Sequence, residues 1–227
     1  MSGQDRKVVL MGASGAVGSA VLDRLIAMPD VVQVTLLDRR AIERPAQDKV
    51  VAHVVDLRNP GSYADLVDGH DSAICTVGVG DPFKVSKEEF QAVDFDIPMA
   101  FATACQKREV GHFAMLSSVT ADPDARNSYV RSKGRLEDAL ATLSFTRLSL
   151  FKPAMILTPQ RRYGWAVETA LAIWPVIGPL FQGRWRKLRG IKVSRLGAAM
   201  ANNIVTDGFG VEKLVWEDFV KLTPDND

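Results

Sequence analysis

The run Lys7-Val8-Val9-Leu10-Met11 meets an amphipathic run from Ser14 to Met28 across Gly12-Ala13-Ser14-Gly15-Ala16-Val17-Gly18, and no other junction constrains the fold as tightly. Consecutive β-branched and apolar residues read as a buried strand, and Val17, Val21 and Leu25, four apart, lay an apolar stripe along a helix that Pro29 stops. Each glycine has its own steric task. Gly12 suits a tight turn, Gly15 lets backbone approach a pyrophosphate without an intruding Cβ, and Gly18 lets the helix pack closely on the strand. The helix N-terminus then offers free N–H groups and partial positive charge to phosphates, and Ser14, Ala16 and Val17 are expected beside the glycines as cofactor-binding residues.

The rest of the first half repeats this alternation. VVQVTLLD, VVAHVVD, SAICTVG, HFAMLSS and SFTRLSLF read as strands. Between them lie helical runs: SYADLVDG, a long region from about Ser86 to Arg108 with Pro98 marking a kink or register change, and NSYVRSKGRLEDALATL. Apolar strands alternating with helices predict an α/β fold, a Rossmann-type doubly wound parallel sheet covered on both faces. After Lys152 the pattern weakens. Residues 153–190 read as an inserted, substrate-covering segment within a single domain spanning 1–227, forming a small C-terminal lobe; IKV then forms a short strand and Ser194 caps a helix through SRLGAAMANNIV.

Composition excludes several classes of function. A net charge of +1 gives no electrostatic case for a nucleic-acid partner. The longest apolar stretch, ALAIWPVIGPLF, is broken by Pro175 and Pro179 and is shorter than the ~20 residues a bilayer span needs, so no stable membrane insertion is expected. MSGQDRK leads directly into a strand without a signal-peptide pattern, and Cys75 and Cys105 lack pairing or metal-ligand spacing, so a cytoplasmic protein with reduced thiols is expected. His53, His70 and His112 are scattered, and no metal site is expected.

An acidic residue about twenty positions beyond the glycine turn extends the nucleotide reading. Asp38 ends the second strand, where a carboxylate accepts from the 2′-hydroxyl of NAD ribose and repels a 2′-phosphate; Arg39 and Arg40 beside it attract that phosphate. Asp56 and Leu57 follow the third strand at the adenine edge, and Thr76, Val77 and Gly78 follow the fourth to wall the cofactor. The glycine spacing is GxxGxxG, where many dinucleotide folds carry GxGxxG.

Tyr129 and Lys133 are spaced i, i+4 on a helix and share one face. An ammonium beside a tyrosine stabilises its phenolate, and the pair can exchange a proton with a substrate oxygen; the lysine can also hold ribose hydroxyls. Ser118 lies eleven residues earlier, at the end of the fifth strand, where its hydroxyl can bond the same oxygen or simply cap a turn.

GASGAVG, strand-end Ser118, the YxxxK pair and a strand ending FKPA resemble the short-chain dehydrogenase/reductase superfamily. GHDSAICTVGVG, FAMLSSVTAD, YVRSKGRLEDAL, RLSLFKPAMIL and AMANNIV are more narrowly similar to its atypical, Tat-interacting-protein-like members, over about Lys7 to Val205. The resemblance implies NAD(P)H binding, a Ser118–Tyr129–Lys133 catalytic triad, and Gly12, Gly15 and Gly18 on the pyrophosphate, with Pro153 at the nicotinamide end. Two positions depart from it. Asp38 stands where the relatives carry a small residue before the arginine pair, and Lys152-Pro153-Ala154 replaces an RPG-like turn. The resemblance favours NADP and Asp38 favours NAD; the balance falls narrowly to NADP, with use of both open.

The expected activity is an NAD(P)-dependent oxidoreductase acting on a carbonyl or secondary alcohol of a small-molecule substrate. A cofactor-retaining epimerase or dehydratase, or a dinucleotide-sensing regulatory protein without turnover, is the alternative; a protein partner or homo-oligomer stays open. The basic segment GRWRKLRG reads as a solvated loop or as a contact for phosphate, acidic lipid or a partner, and Trp165, Trp174 and Phe181 either line a substrate pocket or pack the lobe.

Overall fold

Seven parallel strands form one sheet in the order β3-β2-β1-β4-β5-β6-β9. In chain order these are β1 (Arg6–Met11), β2 (Val31–Asp38), β3 (Val50–Val54), β4 (Ser72–Cys75), β5 (His112–Leu116), β6 (Arg147–Phe151) and β9 (Gly210–Leu214). Two more strands, β7 (Met155–Leu157) and β8 (Gly190–Lys192), pair in parallel as a separate two-stranded sheet. The computed structural model describes residues 5–42, 47–80, 84–158 and 182–224, except the side chain of Arg184. Trp165, Trp174 and Phe181, and most of the expected covering segment, lie outside the described residues.

The core lies on both faces of the sheet. α1 (Ala16–Ala27), α5 (Val193–Asn203) and α6 (Trp216–Leu222) bury one face through Val17, Val21, Leu25, Leu196, Met200 and Phe219. α3 (Ile97–Lys107) and α4 (Ser128–Ala141) bury the other through Phe101, Cys105, Leu136 and Leu140. Burying an aliphatic or phenyl side chain contributes about 1.5–3 kcal/mol relative to leaving it exposed, so these layers carry most of the folding free energy. α5 crosses α1 at Gly197, where a Cβ would come within 2.5 Å of the Ala20 Cβ. Among the described residues no helix is long and apolar enough to cross a membrane.

The chain runs outward from β1 to β3 and then returns to β4 on the other side of β1. Met11 and Cys75 face each other in register at the carboxyl ends of β1 and β4. This reversal of strand order opens a crevice between adjacent strands, the place where doubly wound sheets bind ligands.

Several elements depart from the sequence expectation. The expected short helix in SYADLVDG is a pair of 3₁₀ turns, Pro60–Ser62 and Ala64–Val67. The long helix divides into α2 (Lys87–Gln91), capped by the Ser86 hydroxyl accepting from the Glu89 amide, a π turn (Ala92–Asp96), and α3. Pro98 falls in the first turn of α3, where its missing N–H costs no helical bond, and the π turn absorbs the register change. Ser194 is not a cap: α5 begins at Val193 with Lys192 at the N-cap, because β8 runs directly into the helix. β7, β9 and α6 were not anticipated.

The opposite edge of the sheet holds a buried polar network. The His112 Nε2–H donates to Ser149 Oγ at 2.8 Å, and the Ser149 hydroxyl donates to Glu212 Oε2 at 2.8 Å. Burial, with Arg147 and Arg6 adding repulsion, pushes His112 down to about 3. The folded chain therefore keeps this histidine neutral while the unfolded chain protonates it, so stability is full above pH ~6.5 and is lost as pH falls toward 3. In urea titrations His112→Gln is expected to narrow its stability deficit against wild type by about 2 kcal/mol between pH 7 and pH 5. A deficit independent of pH would overturn the assignment.

Candidate active site

The tight turn and the close helix packing expected of Gly12 and Gly18 are both present. Gly12 has φ +95°, which side-chain-bearing residues rarely adopt, and a Cβ there would lie 2.8 Å from Thr76 Oγ1. A Cβ on Gly18 would fall 2.1 Å from the Gly12 carbonyl oxygen, so helix and turn can close only on glycine. Gly15 differs: its backbone is ordinary at φ −76°, and a Cβ would touch only the Gly12 oxygen, at 3.3 Å. The structure therefore needs no glycine at 15 for its own packing. Gly15 is the N-cap of α1, which has no side-chain cap and no acidic residue in its first turn. Contrary to expectation, the Gly15 amide donates to the Gly12 oxygen at 3.0 Å and the Ser14 amide to Asp38 at 3.3 Å, so an anion would be met by the amides of the first turn of α1 itself. These features fit a dinucleotide pyrophosphate.

Neighbouring loops brace the turn. Thr76 Oγ1 donates to the Gly12 carbonyl at 3.0 Å, and the Thr76 amide bonds the Met11 oxygen at 3.0 Å. Asp38 is buried at the end of β2, accepting from Ser14 Oγ at 2.6 Å and from the Ser14 amide at 3.3 Å. Burial pushes its carboxyl above the ordinary range, partly offset by the Ser14 bonds. Arg39 and Arg40 are exposed. After β3, Leu57 is buried and Asp56 Oδ1 accepts from the Arg58 amide at 3.0 Å.

α4 starts at an Asn127 cap whose side-chain oxygen accepts from the Tyr129 and Val130 amides at 2.9 and 3.2 Å. The loop following Ser118 presses on this helix. The Asp122 amide bonds the Val130 oxygen at 3.2 Å, and a Cβ on Gly134 would come within 2.2 Å of the Pro123 nitrogen. Ser118 Oγ lies 3.0 Å from Thr120 Oγ1 and accepts from the Thr120 amide at 3.3 Å, so it shapes this loop as a turn cap while remaining partly accessible. Tyr129, also partly accessible, has its ring 5.4 Å from that of Phe90.

Lys133 is the buried member of the pair, 5% exposed, with Nζ 2.8 Å from Asp94 Oδ1. Asp94 comes from the π turn and is 2% exposed; its Oδ2 accepts from the Val79 amide at 2.9 Å. Burial disfavours the ammonium, but Asp94, then Tyr129 and Cys75, outweigh it and hold the Lys133 pKa above its ordinary value. The Cys75 thiol behind them is pushed up to about 12 by burial, so it stays neutral. Gly78 lies against Asp94, with room for a Cβ only at 3.3 Å from Oδ1.

A second ion pair lies one turn along α4. Glu137 takes two bonds from Lys152 Nζ, at 2.6 and 2.5 Å, and one from Ser117 Oγ, all buried. This gives the departure at Lys152 a structural role: the lysine fixes the end of β6 to α4 and orients buried Pro153, whose carbonyl accepts from the Val119 amide at 3.1 Å. Sequence reading missed Asp94 and Glu137. Glu137 could have been noticed, since it continues the Tyr129–Lys133 face of the helix, whereas nothing local marks Asp94.

The predicted residues thus lie at the carboxyl ends of β1 to β6, with Tyr129 and Lys133 on α4. The basic segment lies apart, as a 3₁₀ turn (Gly183–Leu188) followed by Arg189, whose guanidinium sits 4.8 Å from the Trp216 ring centroid. A groove of about 450 Å³ on the outer side of α3, lined by Pro60, Ala64, Phe95, Met99 and Thr103 among others, contains none of the predicted site residues.

Sheet order, glycine turn and strand-end acid together define a Rossmann-type dinucleotide-binding protein. The family model described as NAD(P)H-binding matches residues 12–153. The chain belongs to this NAD(P)-binding family, in its atypical short-chain dehydrogenase/reductase-like branch. It is 30% identical to Protein HTATIP2 of Rattus norvegicus, covering 93% of this chain and 86% of that protein. It is 24% identical to "Protein FMP52, mitochondrial" of Saccharomyces cerevisiae, covering 86% and 87%. Among solved structures the fold is similar to a UDP-N-acetylglucosamine 4-epimerase from Methanobrevibacter ruminantium, with a TM-score of 0.70 at 16% identity over 93% of this chain and 77% of that one. It is also similar to a short chain dehydrogenase family protein from Francisella tularensis, with a TM-score of 0.66 at 13% identity over 92% and 97%.

Proposed function

We propose that the protein is an NAD(P)-dependent oxidoreductase acting on a carbonyl or secondary alcohol. The observation carrying this reading is a buried Lys133, its ammonium held 2.8 Å from Asp94 and one helical turn from Tyr129 on α4, against which the Ser118 loop is packed. A reduced nicotinamide held by the glycine turn and Lys133 would supply the hydride for the substrate carbon. Tyr129 gives its phenolic proton to the carbonyl oxygen and regains one from solvent, while Ser118 orients that oxygen by a hydrogen bond. Lys133 holds the ribose hydroxyls and supports the charge that develops on Tyr129. Cys75 and Cys105 are buried free thiols, which supports the cytoplasmic assignment. The direct test follows dinucleotide consumption over a panel of aldehydes and ketones. Tight dinucleotide binding with no turnover on any of them would favour a sensor instead.

Asp38 supports NAD over NADP within this reading. Its carboxylate is directed at Ser14 of the phosphate turn, not at the exposed arginines, so a 2′-phosphate would meet a fixed acid beside the ribose. Asp38→Gly is expected to raise NADP affinity relative to NAD by roughly tenfold, equivalent to ~1.4 kcal/mol. Parallel titrations of both dinucleotides against wild type and variant check it, and an unchanged ratio would mean that Asp38 does not govern the ribose site.

A further inference from the structure

We propose that the basic turn Gly183–Leu188, with the end of β8, is a docking surface for an anionic lipid bilayer, which the protein meets from the water side without inserting a helix. This contact is independent of the oxidoreductase reading.

Positive charge is concentrated here. The whole chain carries a net charge of +1, yet of the thirteen residues from Gly183 to Arg195 six are arginine or lysine and none is acidic. The fold sorts these cations into two sets. Arg189 is half-buried, its guanidinium 4.8 Å from the Trp216 ring centroid, and half-buried Arg195 donates from Nε to Thr223 Oγ1 at 2.9 Å. These contacts fasten the segment to α6 and its end, and the pairing of β8 with β7 ties it to the chain that leaves β6. Arg186, Lys187 and Lys192 are left exposed. α6 packs against the turn and opens with Glu217 and Asp218. Asp218 accepts from the Val215 amide at 3.1 Å and pairs with Lys221 at 3.3 Å, so Glu217 is the remaining acid of that helix, and the exposed cations outnumber it.

A cationic patch alone selects no partner; Trp185 does. Its side chain is 51% exposed in the middle of the turn, between Arg184 and Arg186. An indole settles at the headgroup level of a bilayer, with its apolar body toward the acyl chains and its N–H toward water, while neighbouring cations meet lipid phosphates. The apolar run ALAIWPVIGPLF ends just before the turn; it lies outside the described residues, but an apolar sequence joined to clustered cations has the composition of a segment that lies in an interface. Nucleic acid fits less well, because one short turn neutralises few phosphates and offers no use for the apolar run. β7 leaves β6, and α6 leaves β9, at the carboxyl end of the sheet, so docking turns the crevice end of the molecule toward the bilayer.

The test measures co-sedimentation of the full chain with vesicles of phosphatidylcholine alone and with about 30 mol% phosphatidylglycerol added. Binding to the anionic vesicles is expected to be tighter by roughly tenfold or more, to weaken as sodium chloride is raised, and to shift tryptophan emission to the blue. Arg186→Gln combined with Lys187→Gln is expected to weaken it by roughly 30-fold, the loss for two charges at ~1 kcal/mol each. Trp185→Ala is expected to weaken it several-fold with the charge unchanged and to remove most of the blue shift. Thermal melting checks that both variants stay folded. Equal binding to the two kinds of vesicle, or anionic binding unchanged by either set of substitutions, would overturn the proposal. Release by inorganic phosphate beyond that of sodium chloride at equal ionic strength would also overturn it and assign the turn to a free anion. Tighter binding of a single-stranded oligonucleotide than of the vesicles would overturn it in favour of nucleic acid.

Discussion

Tyr129→Phe is expected to lower turnover by roughly two or more orders of magnitude, the usual worth of a positioned acid–base group, and to leave dinucleotide affinity within a few-fold. The substitution removes one hydroxyl. The ring that packs 5.4 Å from Phe90 remains, as does the Asn127 cap that starts α4 through backbone amides. Lys133 keeps its buried partner Asp94 and so keeps its place for the ribose. Any loss therefore belongs to the proton-transfer step and appears in kcat more than in binding. Steady-state rates on a substrate from the carbonyl panel, together with a direct dinucleotide titration, separate the two. Near-wild-type kcat would remove Tyr129 from the chemistry.

The second large effect is loss of binding without loss of fold. Gly15→Val is expected to abolish measurable dinucleotide binding while the chain stays folded. The position has ordinary extended backbone angles, and a Cβ there meets only the Gly12 oxygen at 3.3 Å, a contact relieved by a shift of a few tenths of an ångström. Valine at an N-cap is poorer than glycine, with a cost of about 1–2 kcal/mol, small beside a stability of several kcal/mol. Its two methyl groups, however, would occupy the space that the pyrophosphate and the first amides of α1 must share. Gly18 supplies the contrast: a Cβ 2.1 Å from the Gly12 oxygen and 2.6 Å from Thr76 Oγ1 threatens the fold itself. Calorimetric titration and thermal melting, run on the same Gly15→Val sample, decide the matter. Unchanged affinity would sink the phosphate role of the turn.

Seven of the nine strands among the described residues, the glycine turn and the two-residue face of α4 were legible because each is encoded over a short stretch. Strand pattern, positive φ at Gly12 and i, i+4 spacing depend on local sterics and on hydrogen bonds between near neighbours. The register change before Pro98 was legible for the same reason, although its form as a π turn was not. β9 escaped because GVEKL is a half-exposed edge strand whose alternation is indistinct. Ser194 misled because its N-cap chemistry stands one residue inside a helix that β8 feeds without a break.

Sequence alone therefore determined that this chain forms a doubly wound sheet, turns on glycine between β1 and α1, and carries tyrosine and lysine on one helical face. Only the tertiary structure decided what each charge meets. Asp38 turns to Ser14 because β2 ends beside the glycine turn, Lys152 reaches Glu137 because β6 ends beneath α4, and Lys133 faces Asp94 because the π turn lies over the end of β4. Those partners come from elements distant in the chain, and no local spacing specifies them. A buried ammonium or carboxylate must find an opposite charge or hydrogen-bond donors, and strand order, not sequence separation, determines which groups are within reach.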